Sequence, residues 1–124
     1  RWKTQINENS KSKAFIGSMP EVHHNEILSW QADIEGSIEN FIVIFLRSPH
    51  EHPQISKRFE LTKKLLSDKV EILNIFPKES ENKLKILMEL VLLGDLLSIS
   101  LAYNLKMVPE DIDTIEELKK LLGG

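Results

Sequence analysis

The stretch "FIVIFLR", Phe41 to Arg47, decides the fold. It is a continuous run of β-branched and aromatic residues of strand length. A strand without polar alternation is buried on both faces, which marks a central strand of a parallel sheet. Ser48-Pro49 ends it. Pro53 then stands at the first turn of a helix, "QISKRFELTKKLLS". Ile55, Phe59, Thr62 and Leu65/Leu66 repeat there at helical spacing, with lysines on the other side. "VEILNIF", Val70 to Phe76, reads as a second buried strand. Strand, helix, strand in this order is a parallel βαβ arrangement.

Working outward, Arg1 to about Glu8 reads as the end of a helix broken by Asn7, Asn9 and Ser10. Lys13 to Gly17 is a third strand candidate, stopped by Met19-Pro20. Asn25 or His24 can cap a short helix, Glu26 to Trp30. Asp33 to Asn40 reads as a loop. Lys83 to Lys106 is a long helix ended by Val108-Pro109. The last helix, "TIEELKKLL", has a capping box, Thr114 with Glu117, and stops at Gly123-Gly124. The expected class is α/β: a three-layer domain with a mostly parallel sheet of three strands flanked by helices. So thin a sheet suggests part of a larger unit, as does a chain that begins at Arg1 inside a helix.

The 124 residues suit one domain, residues 1–124. Apolar residues make up 41% and charged residues 28%, ordinary for a globular protein. A net charge of -3 gives no electrostatic case for nucleic acid or an acidic membrane. With no cysteine there is no disulfide, thiolate metal site or cysteine nucleophile, which fits a reducing cytoplasm. The polar, basic N-terminus lacks the apolar core of a signal peptide. Leu84 to Leu105 contains Lys85, Glu89, Asp95 and Asn104, so it reads as a buried helix rather than a membrane span.

The five glycines form neither GxGxxG nor a P-loop, so no nucleotide cradle is encoded here. The four histidines form two clusters, His23-His24 and His50-Glu51-His52. Zinc is one reading, but no third motif has firm metal spacing and adjacent histidines in extended chain diverge. Arg47, Ser48, His50 and His52 follow a buried strand, where α/β sheets collect ligands; a solvated capping loop is the alternative. Glu8 and His24 each stand at an element boundary. A histidine near a helix N-terminus stays neutral and can shuttle protons. Lys119 and Lys120 suit a helix C-terminus, and on residue type alone are surface lysines.

"INENSK", "MPEVHHNEI", "FLRSPHEHPQISKRFELTKKLL" and "IEELKKLL" together resemble the C-terminal half of the bifunctional phosphoglucose/phosphomannose isomerases. These belong to the phosphoglucose isomerase superfamily and are built from two SIS (sugar isomerase) subdomains. The resemblance covers nearly the whole chain. It implies metal-free, cofactor-free interconversion of glucose 6-phosphate or mannose 6-phosphate with fructose 6-phosphate. Glu8 would be the base that moves a proton between C1 and C2, His24 the ring-opening residue and Lys119 a further ring-opening or charge-stabilising group. His23, Asn25 and Arg47 are candidates for substrate binding. The resemblance also implies a cytoplasmic homodimer whose histidine reaches the neighbouring subunit's site. The family's sugar-phosphate loops lie in an N-terminal SIS subdomain that these residues do not contain, so little turnover is expected from them alone. The rival reading is a non-catalytic sugar-phosphate-binding or dimerisation module.

Overall fold

The computed structural model describes residues 1–32 and 34–123. The helices are α1 (Trp2–Ser10), α2 (Ile34–Asn40), α3 (Pro53–Leu66), α4 (Lys83–Asn104) and α5 (Asp113–Leu121). The strands are β1 (Ile42–Leu46) and β2 (Glu71–Ile75), and two 3-10 turns cover Glu21–His23 and Glu26–Gln31. The chain divides into two compact units. One is Ile16–Leu90; the other joins Arg1–Phe15 to the chain from Val91 onward.

The first unit holds the sheet. β1 and β2 run parallel, with Ile42 opposite Glu71 and Leu46 opposite Ile75. The Arg47 amide extends the pairing with a 3.0 Å bond to the Ile75 carbonyl. α3 is the crossover that a parallel pair requires. It starts as its sequence dictates: Pro53 occupies the first turn, and the His52 ring nitrogen Nδ1 accepts from the Gln54 amide at 3.1 Å. The core gathers Phe45, Leu66, Val70 and Ile86, with Phe45 against the Phe59 ring of α3 at 4.9 Å.

Three expectations change in this unit. Lys13 to Gly17 forms no strand: Phe15 and Ile16 are 77% and 79% exposed, and among the described residues the sheet has two strands rather than three. Each strand is therefore an edge, and both are half-covered instead of buried on both faces; Ile42 is 55% exposed. Residues 34 to 40 are a helix, not a loop. Gly36 masked the Ile34/Ile38 repeat, and the turn is closed by Asn40 Nδ2 to the Gly36 carbonyl at 2.9 Å and by the Phe41 amide to the Ser37 carbonyl at 3.0 Å. That second bond assigns Phe41 to the helix end. Asp33 lies outside the described residues.

The other unit is helical. α1 lies on the C-terminal half of α4 through small and polar groups. Trp2 sits over Gly94, where a Cβ would come within 2.6 Å of its ring. Arg1 pairs with Asp95 at 3.0 Å, and Asn9 Nδ2 donates to the buried Ser98 hydroxyl at 2.8 Å. Ala102 is fully buried. The large residues of α4 face away: Leu92, Leu96, Ile99 and Tyr103 are 51–83% exposed. α4 is long and apolar enough to cross a membrane by length and composition, and 22% of its most apolar window is buried. The expected mostly buried helix is thus corrected to one with an open apolar face. α5 is helical as expected but lacks the Thr114 cap. Its N-cap is Ile112, and the Asp111 carboxylate instead accepts from the Asp113 amide at 3.0 Å.

Candidate functional site

Glu8 stands in the last turn of α1. The side chains beside it are engaged elsewhere. Asn7 Nδ2 donates to the Ser12 carbonyl at 2.8 Å, Ser10 Oγ to the Ile6 carbonyl at 2.6 Å, and Asn9 to Ser98 as above. The short polar side chains expected to break the helix lie within its last turn and fix its end. The exposed Glu8 carboxylate takes no hydrogen bond from a described residue and adds to the field on Arg1, whose guanidinium is held more basic chiefly by its hydrogen bond to Asp95. Lys119 lies in the last turn of α5 in the same unit, exposed, where a helix C-terminus favours a cation.

His24, His23 and Asn25 belong to the sheet-bearing unit. The bond between Met19 and Pro20 is cis, and the chain then enters the 3-10 turn Glu21–His23. The two histidines have different surroundings. His23 Nε2 meets the Thr62 hydroxyl at 2.7 Å, and Arg58 donates to His23 Nδ1 at 2.9 Å. Thr62 gives its own proton to the Arg58 carbonyl at 2.8 Å. It must therefore accept from His23, which puts the proton on Nε2 and leaves Nδ1 as the acceptor for Arg58. That arrangement requires a neutral ring. Burial first, then the Arg58 charge, pushes its pKa below the ordinary value. His23 thus ties the segment to α3, and the adjacent His24 is exposed. Asn25 caps the next turn, accepting from the Glu26 amide at 2.8 Å.

Arg47, a candidate for substrate binding, is packed as an internal strut that also borders the groove beyond the strands. It is 2% exposed and stacks between Phe59 and Phe76, at 4.5 and 4.9 Å from the ring centres. It donates to Glu51, to Glu60 at 2.9 Å and to the Ser56 hydroxyl at 2.9 Å. Hydrogen bonds from Arg47 hold the Glu51 carboxyl below its ordinary pKa. An open groove of about 760 Å³ does lie beyond the carboxyl ends of the strands. Arg47 and Lys57 line it with Glu51, Glu60 and Glu79, an acidic balance unsuited to a phosphate. His50 lines a smaller hollow of about 290 Å³ with Ser48, and its Nε2 donates to the Ser80 carbonyl at 2.9 Å. Among the described residues no three metal-ligating side chains gather.

The sequence reading missed Arg58 and Lys11. Arg58 reaches His23 across 35 positions, a separation that carries no local signal. Lys11 sits in the left-handed region, φ 57°, directly after α1. A lysine just past a helix-breaking "NENS" was a readable C-cap signal.

A parallel βαβ core with helices against it, and exposed titratable groups at helix ends rather than in a phosphate loop, is an α/β domain of the SIS type. The chain belongs to the family described as "Bacterial phospho-glucose isomerase C-terminal SIS domain", which matches residues 1–122. It is 35% identical over 123 residues to a bifunctional phosphoglucose/phosphomannose isomerase of Aquifex aeolicus, covering 98% of this chain and 38% of that protein. It is 31% identical over 123 residues to one from Caldicellulosiruptor bescii, covering 99% of this chain and 36% of that protein. A Thermoplasma volcanium protein of the same name is 32% identical over 120 residues, 97% of this chain and 37% of that protein. The chain thus spans little more than a third of the length of these relatives. No solved structure matches it significantly.

Proposed function

We propose that this chain is the C-terminal part of an aldose–ketose isomerase of sugar 6-phosphates, with Glu8 as its base. The observation that carries this reading is the similarity to relatives named bifunctional phosphoglucose/phosphomannose isomerase, which runs over nearly the entire chain. Isomerisation abstracts a proton α to a carbonyl, which needs one carboxylate within hydrogen-bond reach of both carbons. Glu8, on a backbone fixed by its neighbours and with no hydrogen-bond partner for its carboxylate among the described residues, suits that task. An enediolate loses the stereochemistry at C2, so one base serves both the glucose and the mannose epimer.

His24 opens the sugar ring in this reading, and His23 holds the segment that carries it. Lys119 balances charge on the developing enediolate. Asn25 offers its amide N–H groups to the substrate, since its carbonyl oxygen is spent on capping. The phosphate grip comes from an N-terminal SIS region. That region also covers the open apolar face of α4, whose side toward α1 carries the small residues Gly94, Ser98 and Ala102. In a cytoplasmic homodimer each His24 serves the other copy's site.

In the full-length enzyme, Glu8→Gln should abolish exchange of the C2 proton with solvent while sugar-phosphate binding stays within about threefold, because a catalytic base contributes chiefly to the transition state. Near-normal exchange would reject Glu8 as the base. Sugar-phosphate binding by the unaltered full-length protein with no exchange at all would favour a non-catalytic binding module. The 124 residues alone should turn over little, since remote phosphate binding is missing.

A further inference from the structure

We propose that Lys11 is a positioning residue: its ammonium clamps the peptide leading into α5, the helix of Lys119, onto the end of α1 at Glu8. The inference rests on the reading of Glu8 and Lys119 as catalytic groups. Three carbonyls converge on Lys11 Nζ, those of Glu8 at 2.7 Å, Pro109 at 3.2 Å and Asp111 at 2.6 Å. An ammonium has three N–H donors, so all three are engaged. The first carbonyl belongs to Glu8 itself, in the last turn of α1, where carbonyls lack helical partners and the dipole favours a cation. The other two lie about 100 positions away, immediately before α5 begins at Asp113. Asp111 contributes at both ends of the joint, since its carboxylate caps the Asp113 amide.

The backbone at Lys11 makes the arrangement specific. A left-handed φ of 57° is disfavoured for a side chain with a Cβ, and glycine is the usual residue at such a C-cap. Lysine there adds nothing to the turn that glycine would not do better. What it adds is the ammonium. α5 needs such a tie: none of its residues is buried, and a nine-residue helix is marginal by itself. Lys119 follows Asp113 by six positions, about 9 Å along the helix axis. Where the start of α5 is held therefore sets where the Lys119 ammonium falls.

The test is Lys11→Gly in the full-length enzyme, beside Lys11→Arg and Glu8→Gln. Glycine keeps the left-handed turn and removes the clamp, so loss of capping cannot explain an effect. Expected for Lys11→Gly is a roughly ten- to hundredfold fall in kcat with KM within about threefold, the signature of misplaced rather than missing binding groups. Amide hydrogen exchange should quicken in residues 112–122 and stay unchanged in the strands, and Lys11→Arg should recover much of both losses. Unchanged kcat in Lys11→Gly overturns the inference, whether or not α5 loosens, and so does unchanged exchange in α5. Full C2 exchange by Glu8→Gln is a separate result: it removes the isomerase reading without reference to Lys11.

Discussion

Replacing Arg47 by Met should destabilise the sheet-bearing unit. The guanidinium is 2% exposed and meets Glu51, Glu60, Ser56 and two aromatic faces. Removing one partner of a buried ion pair costs about 3–5 kcal/mol, because the other charge stays behind. Two features pull the value toward the lower end. The Glu60 side chain is 63% exposed, so its pair contributes at the surface level of at most about 1 kcal/mol. Met also retains much of the apolar contact with Phe59 and Phe76, giving up only the cation–π part, about 0.5–1 kcal/mol per ring. The stranded Glu51, its side chain 14% exposed, dominates. A loss of about 3 kcal/mol follows, which at a urea slope of about 1.5 kcal/mol/M lowers the midpoint by about 2 M. Far-UV circular dichroism of the 124-residue chain in urea reads this directly. Adding Glu51→Gln should restore part of the loss, since it removes the stranded charge. The acid limb should change as well. Arg47 holds the Glu51 carboxyl below its ordinary 4.5, so the stability it contributes is present above that value and lost as pH falls through the lower folded value. Arg47→Met should flatten that limb. A variant with an unshifted midpoint, but weakened sugar-phosphate binding in the full-length enzyme, would refute the strut and return Arg47 to the substrate.

His23→Gln should flatten the pH dependence of stability below about pH 6.5, measured by urea midpoints at pH 7 and pH 5. The folded histidine has a lowered pKa, so its contribution is present above 6.5 and disappears as pH falls through the folded value; an equal slope in both proteins would contradict the neutral tautomer. Gly94→Ala should destabilise by up to about 2 kcal/mol. Helix propensity favours Ala by about 1 kcal/mol, but a Cβ there would meet the rigid Trp2 ring at 2.6 Å and overpacking costs about 1–3 kcal/mol; a stabilised variant in thermal unfolding would show that Trp2 yields. His24→Ala in the full-length enzyme should slow turnover of ring-closed sugar phosphate by about 10²–10⁴-fold, the range of a general acid–base group, and leave an open-chain substrate far less affected. Equal losses on both substrates would count against ring opening.

The legible parts of this fold were those set by local chemistry. "FIVIFLR" and "VEILNIF" became the parallel pair, and Pro53 with His52 opened α3, because strand propensity and capping act within a few residues. The failures were of two kinds. Lys13 to Gly17 has strand composition but no strand beside it, and an edge needs a partner that composition cannot supply. Residues 34 to 40 carried a glycine that outweighed a single i, i+4 repeat in the reading, but not in the chain. The site divides the same way. "NENS" announced a helix end near Glu8, and α1 runs two residues further, to Ser10. What distinguishes His24 from His23 is a contact with Thr62 and Arg58, set by how the chain folds across nearly 40 residues.

Arg47 and α4 are two faces of one physical point. An expectation drawn from residue type assigns polar groups to solvent or substrate and apolar groups to the core. Here the charged Arg47 is buried among glutamates and rings, while Leu92, Leu96, Ile99 and Tyr103 lie open. The inversion in α4 is systematic: Gly94, Asp95 and Ser98 face α1, and the large side chains take the other side. Fully burying one large apolar side chain contributes about 1.5–3 kcal/mol; with these four 51–83% exposed, the open part forgoes about 4–7 kcal/mol, near the lower end of a domain's net stability. Selection tolerates such a face where something covers it. In relatives nearly three times as long, the remaining polypeptide is available to do so, and the polar seam with α1 is then the weaker of the two sides of the helix. On the proposed isomerase reading, α1 and its Glu8 are held by hydrogen bonds and a small-residue contact, and the apolar face of α4 would be covered by the region proposed to grip the phosphate. Substrate binding and the placement of the base would then share one helix as their common support.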